Sequence, residues 1–161
     1  MTTPPKPLRL WRGSVLPDWL DYNGHMTEHR YLQVFGESSD ALYERIGVDM
    51  QNADAGAYYT LSTFITHLAE CKLGTALESE TEILGYDARF LHLFHRIFDA
   101  TGTALAEGEH LAIHVRHGAS GLASEAMQAR IAQFYAGQVG LPVPPTAGKV
   151  LRLALQQSRL V

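Results

Sequence analysis

The sequence predicts an α+β domain in which one antiparallel sheet wraps around one long helix. Two observations predict it: a single apolar stripe at helical spacing between residues 31 and 46, and a following run of about four segments with strand-like alternation. Size is the third. With 161 residues, 46% apolar and 19% charged, the chain has material for one sizeable core rather than two.

Residues 1–7, rich in Pro and Thr with nothing to bury, read as a flexible N-terminal arm. Residues 8–15 have strand spacing, and Pro17, Asp18, Asn23 and Gly24 then supply turn chemistry. Tyr31, Phe35, Ser38, Leu42 and Ile46 recur every three or four residues, widened by Val34 and Ala41 and closed by Gly47, which makes the long helix. Gly36 sits within it. A mid-helix glycine costs roughly 1 kcal/mol against alanine, so a close approach of the sheet is expected at that turn. Segments 58–69, 76–84, 90–100 and 104–116 read as antiparallel strands, separated by Gly74, Gly85, Asp87 and Thr101-Gly102. Glu78, Glu80 and Glu82 share one face of the second of these, opposite Leu77, Thr81 and Ile83, so that face should be wet. Phe90, Leu91, Leu93, Phe94, Ile97 and Phe98 are apolar on both faces. This predicts a central strand covered by the helix on one side and by a second subunit on the other, hence a homodimer or homotetramer. Residues 124–139 return to helical spacing, and Pro142, Pro144 and Pro145 end it. The domain is therefore expected over residues 8–140, with residues 141–161 a tail whose structure the pattern leaves open.

Net charge of −4 and 13 scattered Lys and Arg argue against a nucleic-acid partner. No stretch approaches the roughly 18 apolar residues of a spanning helix, so no membrane insertion is expected. A single cysteine, Cys71, and the lack of a secretory h-region make the cytoplasm the expected location.

The densest polar cluster is Asp21-Tyr22-Asn23-Gly24-His25, in the loop that feeds the long helix. A carboxylate there could activate water or attack a carbonyl, Asn23 could orient the water, and backbone N–H groups at Gly24 could receive the developing negative charge. The same residues also make an ordinary turn and helix cap. Both readings stand on the residues alone.

The run Asp21-Tyr22-Asn23-Gly24-His25-Met26, followed by Tyr31, resembles the D-x-x-G-H-[VM] signature of hotdog-fold acyl-CoA thioesterases. The order Asp21, Asn23, His25 is also similar to the active-site segment of plant acyl-ACP thioesterases, and the strand order matches a hotdog over most of the chain. The resemblance implies a single hotdog domain, with a long central helix inside a curled antiparallel sheet and a C-terminal helix. It implies thioester hydrolysis supported by Asp21, an acyl-CoA site at a dimer interface, and no cofactor beyond the CoA of the substrate. Thr27 and Glu28 stand where many relatives carry two asparagines. Some relatives place the catalytic carboxylate on the long helix, which makes Glu37 the reserve acid. From Pro17 to Asp49 the chain looks most like the betainyl-CoA thioesterases of carnitine degradation. A trimethylammonium acyl group is held well by aromatic faces, at about 1 kcal/mol per contact, and Trp11, Trp19, Tyr22, Tyr58 and Tyr59 are available, though for any one of them a core or interface place is the commoner role of an aromatic where sheets pack. Lys72, Arg89, Arg96 and Arg116 could meet the CoA phosphates.

His25-Met26-Thr27-Glu28-His29 matches H-x-x-E-H, a zinc-hydrolase pattern. Asn23-Gly24 just upstream puts His25 at a helix start, and no third ligand follows, so a bound metal is not expected. His92 and His95 should point to opposite faces of a strand, while His110 and His114 stand roughly 13 Å apart. A non-catalytic acyl-CoA-binding module is the rival of another class, because fold does not fix activity.

Overall fold

The computed structural model describes residues 4–150. Residues 1–3 of the expected arm and residues 151–161 of the expected tail lie outside the described residues. The elements follow the expected order: β1 (Leu8–Ser14), α1 (Glu28–Ile46), β2 (Ala57–His67), β3 (Ala76–Tyr86), β4 (Phe90–Asp99), β5 (Ala104–Arg116), a short β6 (Ala119–Ser120) and α2 (Glu125–Ala136). All strand pairings are antiparallel, in the spatial order β1-β3-β4-β5-β2, with β6 appended to β5. One long helix packed against one curled sheet is the hotdog arrangement that the motif implied.

α1 buries Tyr31, Val34, Phe35, Ser38, Leu42 and Ile46 of the stripe read from the sequence, adds Ser39 and Tyr43, and leaves Ala41 half-buried. It stops at Gly47, whose φ of 104° provides the left-handed cap that joins its N–H to the carbonyls of Glu44 and Tyr43. Gly36 behaves differently from expectation. A Cβ added there would meet nothing within 4 Å, because the stripe turns Phe35 toward the sheet and leaves Gly36 on the exposed side.

β4 is central, and its inner residues Leu91, Leu93, His95 and Ile97 are fully buried beneath α1. On its outer face, expected to meet a second subunit, His92 and Phe94 are already buried within the chain. The carboxylate of Glu109, 2% exposed, lies 3.0 Å from His92 Nε2 and accepts the backbone N–H groups of Gly148, Lys149 and Val150 at 2.8 to 3.3 Å. Those N–H bonds seat the chain after the prolines on the sheet. The wet face of β3 also has an exception. Glu82 is 6% exposed, because Arg96 Nη1 reaches it at 3.0 Å, and burial raises its carboxyl above the usual range against the pull of that guanidinium.

The inner face holds more polarity than the sequence announced. His95 and His110, on neighbouring strands, have ring centroids 5.0 Å apart, and Phe35 packs on both. Ser39 and Thr81 hydrogen-bond the two nitrogens of His95, and Thr63 bonds Nδ1 of His110. At the far end Ser124 accepts from Met127 N at 3.2 Å and caps α2. Ser124→Ala is expected to cost about 1 kcal/mol of stability, read by urea unfolding; an unchanged midpoint would mean the cap is not needed.

Candidate active site

The segment between β1 and α1 closes on itself. Leu20 bridges Met26, Asp21 N donates to the His25 carbonyl at 2.8 Å, and Gly24 turns the chain at a φ of 76°. Asp21 Oδ1 accepts two backbone N–H groups, from Asn23 at 2.8 Å and His25 at 3.1 Å. Its Oδ2 has no partner among the described residues. This hairpin is pinned to the segment after β2, since His25 bridges Lys72 and Met26 N donates to the Cys71 carbonyl at 2.9 Å.

Between the two lies a cavity of about 370 Å3. Asp21, His25, Glu28, Tyr31, His67 and Glu70 supply its polar wall, and Met26, Leu68 and Ala69 its apolar wall. His25 Nε2 stands 3.3 Å from Glu70 Oε2, and the Tyr31 and His67 rings meet edge to face at 4.9 Å. Burial, reinforced by the bond to Cys71 and the charges of Glu70 and Asp21, raises the Tyr31 hydroxyl far above its ordinary value. It therefore stays a neutral donor. A larger hollow of about 580 Å3 lies between β1 and β3, where Arg9 and Arg12 already pair with Glu78 and Glu80; it holds none of the candidate residues.

The structure thus brings Asp21 and His25 together at one cavity and keeps Asn23 and Gly24 in the turn beside it. Gly24 N–H donates to the Asp21 carbonyl at 3.1 Å, so it is not free to hold an oxyanion. Glu28 N and His29 N, in the first turn of α1, have no acceptor among the described residues, as a helix leaves its first N–H groups unpaired. Glu37 is not in the cavity wall. Its Oε2 accepts Trp11 Nε1–H at 2.7 Å and its Oε1 accepts Gln33 Nε2–H at 2.8 Å.

The aromatic candidates do not gather around Asp21 within one chain. Trp19 is buried beneath the Arg30 guanidinium, 5.5 Å from its ring, and Tyr22 is 96% exposed on the hairpin tip. Tyr58 stacks on Tyr43 at the start of β2, and nine residue steps along the strand, roughly 30 Å, separate it from His67. Tyr59 is exposed beside it. Tyr31, read from the sequence as part of the helix stripe, and His67, read as a core-edge or surface histidine, join His25 as the rings at the cavity; the nearness of Tyr31 to the start of α1 was the available signal. Of the four basic candidates, Lys72 adjoins the hairpin, whereas Arg96 is held by Glu82 and Glu107. Arg89 and Arg116 lie toward the Tyr58 end of the sheet.

His25 sits in its bridge two residues before the Thr27 cap, so it does not share a helical turn with His29. Among the described residues, no three His, Cys, Asp or Glu side chains gather at metal-binding distance, and no helix is long and apolar enough to cross a membrane.

Residues 15–145 match the family model of the thioesterase-like superfamily. The chain belongs to that superfamily. Among superfamily members, an L-carnitine dehydrogenase/betainyl-CoA thioesterase of Rhizobium meliloti is 45% identical over 147 residues, covering 89% of this chain. The chain spans only 30% of that relative's length. A betainyl-CoA thioesterase of Pseudomonas aeruginosa is 37% identical over 151 residues, covering 91% of this chain and 95% of its own. A Staphylococcus aureus protein solved in complex with CoA superposes with a TM-score of 0.82 at 23% identity, over 89% of this chain and 94% of that one. That last likeness concerns the fold.

Proposed function

We propose that this chain hydrolyses the thioester of a small acyl-CoA, with betainyl-CoA as the first candidate, to the free acid and CoA. The observation that carries the reading is Asp21: one carboxylate oxygen is anchored by two backbone N–H groups, and the other has no partner among the described residues, on a residue that lines the cavity. As general base, Oδ2 takes a proton from water while the water oxygen adds to the carbonyl carbon. As nucleophile, it adds directly to the carbonyl carbon, forming an anhydride as the thiolate is expelled, and water then hydrolyses the anhydride to the free acid and restores the carboxylate. Either way the C–S bond breaks, and the thiolate leaves and is protonated. The unpaired N–H groups of Glu28 and His29 are suited to the developing oxyanion, and the Asn23 side chain to orienting the water.

The acyl group that fits the wall is cationic. Among the described residues its charged lining is Asp21, Glu28 and Glu70, without Lys or Arg, and Tyr31 presents an aromatic ring, so carboxylates take over much of the role expected of an aromatic cage. Glu70→Gln is expected to raise KM for betainyl-CoA about threefold and to leave an uncharged isosteric acyl-CoA unaffected, since an exposed ion pair contributes under about 1 kcal/mol. Equal effects on both substrates would remove Glu70 from acyl recognition. The same reading includes a homodimer or homotetramer, supported by the edge of β2, unpaired among the described residues, where Tyr59, Leu61 and Phe64 are exposed. A cytoplasmic location belongs to it as well.

The test is thiol release from a panel of acyl-CoAs with and without chelator. Chelator-resistant hydrolysis that prefers the cationic acyl group is the expected result. Binding without turnover would favour the non-catalytic module, and loss on chelation with rescue by zinc would favour a metal hydrolase.

A further inference from the structure

The reserve acid belongs to a chain of side chains that the proposed chemistry does not use. From β1, Trp11 Nε1–H donates to Glu37 Oε2 at 2.7 Å. Gln33 Nε2–H donates to Glu37 Oε1 at 2.8 Å, and Arg30 Nη1–H donates to Gln33 Oε1 at 2.7 Å. Arg30 Nη2–H then reaches the Asp18 carbonyl at 3.2 Å and its carboxylate at 3.3 Å, while the guanidinium lies over the Trp19 ring. Residues 30, 33 and 37 fall on one side of α1, three and four apart, so the helix itself sets the spacing of the links. Both ends are anchored. A Cβ at Gly13 would lie 2.8 Å from the Trp11 ring, so that indole is packed on its own strand, and the Trp19 carbonyl accepts Thr27 N at 2.8 Å across the base of the Asp21 hairpin.

We propose that Arg30 and Glu37 are positioning residues, which lock the Asp21 hairpin to α1 and β1 through this hydrogen-bonded chain. Glu37 has both oxygens engaged by protein donors, and it stands outside the cavity wall, so its carboxylate orders the scaffold and does not meet substrate. Arg30 is the link that touches the residues leading into Asp21. Its planar fork bonds Gln33 and Asp18 at once while stacking on Trp19, which a lysine cannot do. The catalytic consequence rests on the thioesterase reading above; the mechanical one does not.

The experiment compares wild type with Arg30→Gln, Arg30→Lys, Glu37→Gln and Trp11→Phe in two readouts. Hydrogen exchange at the Asn23 and His25 amides, which hold Asp21 Oδ1, reports hairpin order without any substrate. It should quicken about tenfold or more in Arg30→Gln, less in Arg30→Lys and Trp11→Phe, with the β4 amides unchanged. Steady-state thiol release should show kcat down roughly 10- to 100-fold in Arg30→Gln, with KM and the pH profile retained, because a displacement near 1 Å at the reacting group costs about that much. Glu37→Gln, which keeps one acceptor, should lose about tenfold or less. Unchanged hairpin exchange in Arg30→Gln overturns the proposal. So does Glu37→Gln activity lower by more than about 100-fold with a lost pH limb, since that is the behaviour of a base. Should wild type release no thiol, the thioesterase reading fails and the exchange data alone decide the mechanical proposal.

Discussion

Asp21→Asn is expected to lower kcat for acyl-CoA hydrolysis roughly 100- to 10,000-fold with the fold and substrate binding retained. The substitution is close to isosteric. The Asn Oδ1 can still accept the N–H groups of Asn23 and His25, so the hairpin keeps the bonds that shape it. What disappears is the charge on the free oxygen, and with it both the proton acceptor and the nucleophile. Asp21→Ala removes the anchor too, and should loosen the hairpin as well as abolish turnover. The measurements are thiol release, binding of a non-hydrolysable acyl-CoA analogue, and a thermal melt. Near-wild-type turnover in a folded Asp21→Asn protein would take Asp21 out of the chemistry.

Stability is expected to fall by roughly 3 kcal/mol between pH 6.5 and pH 4 on account of His110 alone, with His95 adding to it. Burial is the cause. It pushes His110 down to about 4, against a raising contribution from Glu109, and holds His95 well below its ordinary value, helped by the neighbouring His110. Unfolded, both imidazoles titrate near 6.5. Below that pH the unfolded chain binds more protons than the folded one, so acidification favours unfolding until the folded groups titrate too. Well above pH 6.5 both states are neutral, and this contribution is flat. Urea unfolding at pH 7 and pH 5 checks it, with His110→Leu expected to flatten the slope. An identical slope in that variant would show that other groups govern acid sensitivity.

Much of the molecule was legible from local pattern. The α1 stripe, the strand run and the turns at Gly47 and Gly74 are set by periodicity and backbone preference within a few residues, and these appear where the sequence put them. The Asp21 hairpin was legible for the same reason, since its bonds join residues two to four apart. Gly36 misled, because the cost of a mid-helix glycine does not specify which side of the helix it faces.

The sequence by itself determined the period of each element and the polar cluster that carries the proposed chemistry, because those depend on neighbours along the chain. Tertiary structure alone decided what distant residues share. It joined His95 to His110 and Glu37 to Trp11, brought His67 to Tyr31, and kept Tyr58 away from Asp21. It also joined Gly148 and Val150, which follow the prolines, to the Glu109 carboxylate on β5. The physical reason is strand register and helix placement: a one-residue shift in pairing moves every side chain to the other face, and no local pattern specifies which strand will lie beside which.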